Sequence, residues 1–131
     1  MNKKNGFTLV ELLMVVIIIG ILITLAIPNY YRTIERSKGS KARNNLRALQ
    51  ETEIWYRAHE DTYCGDINIL GGWGFPLGSL TNDPDWTYDV PVSTSSALEV
   101  RATRTGGPYD GSTMSVDEGG IFTMSLSGIP W

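Results

Sequence analysis

The 131-residue sequence predicts an α+β fold, in which a long N-terminal α-helix packs on a small antiparallel β-sheet of about four strands. An apolar run from Phe7 to Ile27 indicates the first half of the helix. A polar segment with apolar residues at helical spacing indicates the second half, and alternating segments after Tyr63 indicate the strands. One domain is the expectation at this length.

The apolar run is long enough to cross a membrane as a helix, because about 20 residues rising about 1.5 Å each span a hydrocarbon core of about 30 Å. Lys3 and Lys4 precede it, as in a secretory signal. The run is longer than the apolar region of about 7–15 residues in such signals, and its best cleavage candidate, Thr24-Leu25-Ala26, is poor. An ordinary cleaved signal peptide is therefore disfavoured.

Glu11 is the one ionisable side chain within the apolar run. A carboxylate inside a membrane helix costs about 3 kcal/mol or more, and such groups usually have a partner. No basic residue stands within one helical turn of Glu11, since Lys4 is seven positions earlier. Two interpretations follow: Glu11 lies solvated at the headgroup boundary, or its partner is created by processing or supplied by another molecule.

The segment from Asn29 to about Asp61 predicts an amphipathic stem that continues the helix. Glu53 lies within its apolar face and weakens it. The face consists of residues spaced by four, three and seven: Ala42, Leu46, Leu49 and Tyr56. We expect this face to pack against the sheet.

Cations outnumber acids in the stem by seven to five. By the positive-inside rule alone, this excess after the apolar run would place the C-terminal part in the cytoplasm. The basic residues are expected to contact acidic headgroups or acidic surfaces of neighbouring molecules, or else to form a solvated helix face. They are Arg32, Arg36, Lys38, Lys41, Arg43 and Arg47.

The distal part, residues 64–131, is rich in turns up to Asp85 and then alternates. Asp117-Glu118-Gly119-Gly120 predicts a hairpin whose glycines supply positive φ. The predicted strands are Trp86–Val90, Leu98–Thr103, Thr113–Val116 and Ile121–Leu126.

Composition disfavours several classes of function. Cys64 and His59 are the single cysteine and histidine, so an intrachain disulfide is excluded, and zinc sites and Ser-His-acid triads have little support. The distal part holds two arginines against eight acids, which disfavours nucleic-acid binding by that surface. We expect no catalytic residue and no cofactor. Calcium is the one ion considered, because carboxylates could ligate it, although no EF-hand spacing is present: Asp83, Asp85, Asp89, Asp110, Asp117 and Glu118.

The residues from Lys3 to Leu13, KKNGFTLVELL, resemble the class III signal of type IV prepilins and type II secretion pseudopilins. The resemblance implies that residues 1–6 are a leader peptide, that a prepilin peptidase cuts between Gly6 and Phe7, and that Phe7 becomes N-methylated. It also implies that Glu11 pairs with the N-terminal amine of a neighbouring subunit during assembly. A buried carboxylate and a buried ammonium are tolerable only together.

The resemblance extends with less specificity through the stem, and it implies a helix break between Gly20 and Pro28 in assembled filaments. Pro28 cannot donate to the carbonyl of Thr24, so the helix is expected to bend or loosen there. Residues 7–28 are then the membrane and assembly helix, 29–63 the stem and 64–131 the globular part.

The function implied is that of a structural subunit of a type IV pilus-like extracellular filament, and not of an enzyme. Its expected partners are other copies and other pilins, the prepilin peptidase and an inner-membrane assembly platform, without direct contact to nucleic acid. The precursor would be a single-pass inner-membrane protein. Alternatives are a periplasmic pseudopilin of a type II secretion system, a membrane-anchored binding module that never polymerises, and, with little support, an anchored hydrolase.

Overall fold

A computed structural model of the chain describes residues 6–125. Most of the predicted leader, including Lys3 and Lys4, and the end of the last predicted strand at Leu126 lie outside the described residues. The chain divides into two compact units, one extending to Arg36 and the other beginning at Ser37. This division falls within the predicted stem.

The first element, α1, is a continuous α-helix of 52 residues, Leu9–Glu60. It contains both Gly20 and Pro28 without interruption, so the expected break is not present in the described subunit. Proline removes one backbone hydrogen bond, but the bonds on either side of it persist, and Pro28 lies far from either helix end. Loss of helicity inside a filament stays a prediction.

The α+β prediction is confirmed by a four-stranded antiparallel sheet in the order β1-β2-β3-β4. β1 is longer than predicted because the strand continues through Pro91, where its register with β2 shifts between Asp89 and Val92. A proline is compatible with this position, since β1 is an edge strand and needs hydrogen bonds on one side only. The strands are β1 (Trp86–Ser93), β2 (Leu98–Arg104), β3 (Thr113–Asp117) and β4 (Phe122–Ser125).

The hairpin between β3 and β4 forms where the sequence predicts it, but only one of its two glycines has a positive φ. Gly120 has a φ of 79°, while Gly119 is not among the residues with positive φ. The Gly120 N–H donates to the Asp117 carbonyl at 3.0 Å. The Ile121 N–H donates to Oδ1 of Asp117 at 2.8 Å, so this aspartate closes the turn from both its backbone and its side chain.

The core lies between the stem part of α1 and the inner face of the sheet. Three of the four predicted stem residues, Ala42, Leu46 and Leu49, are fully buried, and Tyr56 packs against the core as a half-buried residue. β2 shows the alternation of a strand with one covered face, since its buried residues alternate with half-buried ones. The buried apolar residues of the sheet are Trp86, Leu98, Val100, Ala102, Met114 and Val116.

Three short helical segments occupy the turn-rich region between α1 and β1. They are α2 (Ile67–Leu70), a 3₁₀ turn (Gly71–Trp73) and α3 (Gly78–Thr81). Asp66 caps α2 by accepting the Asn68 N–H at 2.9 Å. Segments of one turn are too short to show a helical period in the sequence, which is why the sequence predicts only turns here.

Polar side chains attach one flank of the stem to the start of the sheet. Lys38 pairs with Asp85 at 2.8 Å, and Lys41 pairs with Asp83 at 3.3 Å. The hydrogen bond from Lys38 holds the pKa of Asp85 below its usual range. Two of the stem cations therefore form ion pairs within their own chain, which neither alternative for the basic segment included.

Tyr88 lies at the centre of this polar attachment. Nδ2 of Asn45 donates to the Tyr88 hydroxyl at 2.9 Å, and that hydroxyl donates to Oδ2 of Asp83 at 3.0 Å. Burial raises the pKa of Tyr88, so the phenol keeps the proton that it donates. The stem, the loop before β1 and β1 itself are thus joined by one chain of hydrogen bonds.

Glu53 is fully buried within the apolar face of the stem. Its Oε2 accepts the backbone N–H of Cys64 at 2.7 Å, while its Oε1 has no hydrogen-bond partner among the described residues. Burial raises the pKa of Glu53 to about 7, against its ordinary value of 4.5, and the bond from Cys64 offsets only part of this rise. The sequence identifies Glu53 as an interruption of the face, but not as a group that binds a proton near neutral pH.

We predict that Glu53 makes the folded subunit more stable below pH 4.5 than above pH 7. The folded state keeps the proton up to about pH 7, whereas the unfolded state releases it near pH 4.5. The bound proton therefore makes its full contribution to the free energy of unfolding below pH 4.5. This contribution, about 3 kcal/mol, is lost as pH rises to 7. Denaturant unfolding of the detergent-solubilised chain and of Glu53→Gln, followed across pH, measures the difference between them.

Glu51→Gln is the matched control, because Glu51 lies two residues earlier on α1 and is exposed. It should leave the pH dependence unchanged. Parallel stability curves for the chain and Glu53→Gln between pH 4.5 and 7 would contradict the prediction.

Candidate functional site at the start of the N-terminal helix

The apolar residues at the start of α1 are exposed in the described chain. Every large apolar side chain from Phe7 to Ile27 is between 49% and 86% exposed. By length and composition α1 is able to cross a membrane. Contiguous exposed apolar surface of this extent indicates contact with lipid or with other molecules.

Thr8 and Glu11 form a capping box at the first turn of α1. The Thr8 N–H donates to Oε2 of Glu11 at 2.8 Å, and the Glu11 N–H donates to the Thr8 hydroxyl at 3.2 Å. The same hydroxyl donates to Oε2 at 3.0 Å. These reciprocal bonds satisfy two backbone donors that would otherwise lack partners at the helix start.

The capping box gives Glu11 a partner within its own helix, which neither sequence interpretation considered. The signal was present, because Thr-x-x-Glu before an apolar run is a sequence signature of a helix N-terminus. All the hydrogen bonds of the Glu11 side chain within residues 6–125 go to Oε2. Oε1 is therefore available to a further donor while the cap remains intact.

The other residues predicted for processing lie immediately before α1. Gly6, Phe7 and Thr8 have no regular secondary structure, and Gly6 and Phe7 are exposed. The peptide bond between Gly6 and Phe7 therefore lies outside α1, in exposed backbone. Phe7 directly precedes the capping box, but no hydrogen bond joins Phe7 to Glu11 within residues 6–125.

Two small residues, Gly20 and Thr24, lie about one turn apart within the apolar run. An added Cβ on Gly20 would meet no atom within 4 Å, so this glycine is not required by packing within the described subunit. One turn later, the Thr24 hydroxyl donates to the Ile21 carbonyl at 2.7 Å and so satisfies its own polar group inside the apolar run. The two small residues leave space on the helix for another helix to approach.

The single histidine and the single cysteine lie apart from this site in the sequence. His59 is exposed, with its ring 5.0 Å from that of Trp73, and its Nδ1 is 3.1 Å from the Trp55 carbonyl oxygen. Cys64 is a buried free cysteine whose thiol donates to the Asp66 carbonyl at 3.2 Å. Both residues are held by contacts within the fold.

Several carboxylates considered for calcium have other partners. Asp83 and Asp85 pair with lysines of the stem, and Asp89 pairs with Arg101 at 2.6 Å. Among residues 6–125, no group of three or more His, Cys, Asp or Glu side chains is arranged to hold a metal ion. Asp83, Asp85 and Asp89 therefore take part in ion pairs within the fold.

Comparison with known families gives a match at the N-terminus of the chain. Residues 1–27 match the family described as the prokaryotic N-terminal methylation motif. The match contains Phe7 and the whole capping box of Thr8 and Glu11.

Curated relatives extend the similarity beyond this motif. The chain is 34% identical over 108 residues to the type IV major fimbrial protein FimA of Dichelobacter nodosus, covering 78% of this chain and 68% of FimA. It is 45% identical over 71 residues to the type IV major pilin protein PilA of Myxococcus xanthus, covering 53% of this chain. The aligned part is 32% of PilA, so the chain matches only about a third of that longer protein.

A second group of relatives carries a different name. The type II secretion system core protein G of Pseudomonas aeruginosa is 27% identical over 127 residues, covering 91% of this chain and 89% of the relative. Compared with the alignment to FimA, this alignment has a lower identity and covers more of the chain.

We predict that removing the Thr8 hydroxyl loosens the first turn of α1. Thr8→Val keeps the shape of the side chain but removes the acceptor for the Glu11 N–H, and loss of an N-cap costs about 1 kcal/mol. Amide hydrogen exchange of the first turn, measured in detergent, should accelerate by about fivefold.

Thr24→Val is the matched control, because Thr24 bonds to a carbonyl in the middle of the helix. It should leave exchange at the first turn unchanged. Equal exchange rates in Thr8→Val and the unmodified chain would show that the capping box does not stabilise the helix start.

Proposed function

The chain belongs to the type IV pilin and pseudopilin family, and we propose that it is a structural subunit of a type IV pilus-like extracellular filament. The observation that carries the proposal is the exposed apolar helix surface between Phe7 and Ile27, which contains one carboxylate. Such a surface is stable in lipid before assembly and against copies of itself afterwards. The subunit acts by polymerising, and it performs no catalysis.

Processing at Gly6 and Phe7 is the first step of the proposed function. A prepilin peptidase cuts between the two residues and methylates the new amine of Phe7. The matching N-terminal motif and the non-helical backbone of residues 6–8 support this assignment. Cleavage creates an ammonium group at Phe7, four residues before Glu11.

Glu11 is proposed to pair with the N-terminal amine of a neighbouring subunit. The capping box holds its carboxylate through Oε2 and leaves Oε1 available among the described residues. An ammonium group of a second copy can therefore bind Oε1 without breaking the cap. In an apolar surrounding, a carboxylate and an ammonium are tolerable only as a pair.

The proposed partners and location follow from this cycle. The precursor waits in the inner membrane as a single-pass protein, is processed by the peptidase, and enters the filament through an assembly platform together with other copies and other pilins. The finished filament is extracellular. Relatives named as major pilin and major fimbrial protein support this location over a periplasmic one.

A second candidate function is that of a pseudopilin in a type II secretion system. The alignment with core protein G over 91% of this chain favours it. Deleting the gene separates the two candidates. Loss of surface filaments that the parent strain makes supports the pilus. Loss of protein export, in a strain whose parent makes no surface filaments from this chain, supports the pseudopilus.

The first test is intact mass and N-terminal sequencing of the chain from a sheared cell-surface fraction. We expect a chain that begins at methylated Phe7. A processed chain that occurs only in membranes would favour the pseudopilus. A chain that still begins at Met1, in cells with an active prepilin peptidase, would refute the processing step.

We predict that Glu11→Gln abolishes filament assembly while preserving the helix start. Glutamine also serves in a capping box, so its amide oxygen can still accept the Thr8 N–H. It carries no charge for the ammonium of a neighbour. Sheared filaments measure assembly, and amide exchange of the first turn measures the cap.

Thr8→Val is the converse control, because it removes the capping hydroxyl and keeps the charge of Glu11. It should retain more filament than Glu11→Gln. Normal filament yield from Glu11→Gln would show that the charge of Glu11 is not needed for assembly.

A further inference from the structure

Arg43 and Arg47 differ from the other cations of the unit that begins at Ser37. Arg57 donates to the Tyr63 hydroxyl at 3.1 Å. Within residues 6–125, Arg43 and Arg47 have neither an ion pair nor a hydrogen bond from their guanidinium groups. The four remaining cations are paired with aspartates: Lys38, Lys41, Arg101 and Arg104.

The two arginines form the rim of a recess between α1 and β4. They are four residues apart, so they lie on the same flank of the helix. The recess has a volume of about 310 Å³, and Asn44 and Phe122 complete its lining. The guanidinium carbon of Arg43 lies 4.7 Å from the centre of the Phe122 ring, which fixes the group by cation–π contact.

This arrangement suits a carboxylate. A guanidinium group held over an aromatic ring by its charge still has N–H donors, and these match the two oxygens of a carboxylate. Two like charges one helical turn apart repel each other in the isolated subunit. An anion bound between them removes that repulsion.

Acidic side chains of a second copy are the matching occupant. From Ser37 to Ser125 the chain holds twelve acids against seven Lys and Arg residues, so copies repel each other unless cations of one meet carboxylates of another. The side chains of Glu51, Glu60 and Asp61 are exposed and have no hydrogen bond or ion pair within residues 6–125. Glu60 and Asp61 lie at the C-terminal end of α1, where the helix dipole disfavours negative charge.

We propose that the recess formed by Arg43, Arg47 and Phe122 binds an exposed carboxylate of a second copy in the filament. The inference rests on the proposed function, because it needs copies that assemble. It adds a contact between the parts of the subunits that follow the membrane helix.

The test compares two variants that change net charge by the same amount. Arg43→Gln with Arg47→Gln removes the cations of the recess, and Ser95→Glu with Ser96→Glu adds two charges at exposed positions of a turn. We expect the first variant to lower the yield of sheared filaments by about tenfold, and the second to leave it near that of the unmodified chain. Equal yields from both variants would overturn the proposal.

A photoreactive amino acid at Asn44 identifies the occupant directly. In filaments of the otherwise unmodified chain, we expect a crosslink to a second copy at a peptide containing Glu51, or Glu60 and Asp61. Crosslinks to a different protein, or to a second copy far from these carboxylates, would overturn the proposal. Protease resistance of the unit that begins at Ser37, compared between each variant and the unmodified chain, shows that folding is retained. Absence of filaments from the unmodified chain would instead refute the proposed function.

Discussion

The apolar side chains between Phe7 and Ile27 set the condition on which the rest of the molecule depends, because they are exposed in the described chain. Water contact with this surface is unfavourable at about 25 cal/mol per Å². Transfer from lipid to other helices gains little hydrophobic free energy, since lipid chains are as apolar as leucine. Specific assembly therefore needs helix packing and a polar pair in addition to apolar contact.

Glu11 meets this need through the two oxygens of one carboxylate. The capping box uses Oε2 and lowers the cost of holding the group in an apolar helix before assembly. The other oxygen keeps its capacity for a donor from outside the chain. A precursor with an uncapped glutamate would be less stable in the membrane, and one with both oxygens occupied would have less to offer a neighbour.

Sequence periodicity predicted the long helix and the strands, which are the regular elements of the fold. The buried positions Ala42, Leu46 and Leu49 follow from helical spacing, and the four strands follow from alternation and turn residues. The one-turn helices before β1 did not follow, because four residues carry no period. The ion pairs of Lys38 and Lys41 depend on which residues the fold brings near the stem, and spacing along the chain does not contain that information.

Only part of the candidate site was predicted, because a sequence motif identifies residues in fixed register but does not show their contacts. Gly6, Phe7 and Glu11 stand out because the leader motif keeps them in fixed register. The role of Thr8 was missed although Thr-x-x-Glu is a helix-start signature, since the same letters also belong to the leader motif. Arg43 and Arg47 resembled the rest of a basic segment until the structure showed which cations have partners.

Near each end of α1, a glutamate accepts a backbone N–H through one carboxylate oxygen. The burial of each glutamate determines what its second oxygen can bind. Glu11 accepts the Thr8 N–H and is exposed, whereas Glu53 accepts the Cys64 N–H and is fully buried. The second oxygen of Glu53 has no partner among the described residues, and burial raises the pKa of Glu53 to about 7. Because that oxygen is buried, it binds a proton within the folded subunit rather than a cation of another molecule. The second oxygen of Glu11 is open to a cation of another molecule, which is why the first glutamate suits assembly and the second suits only the folded state of its own subunit.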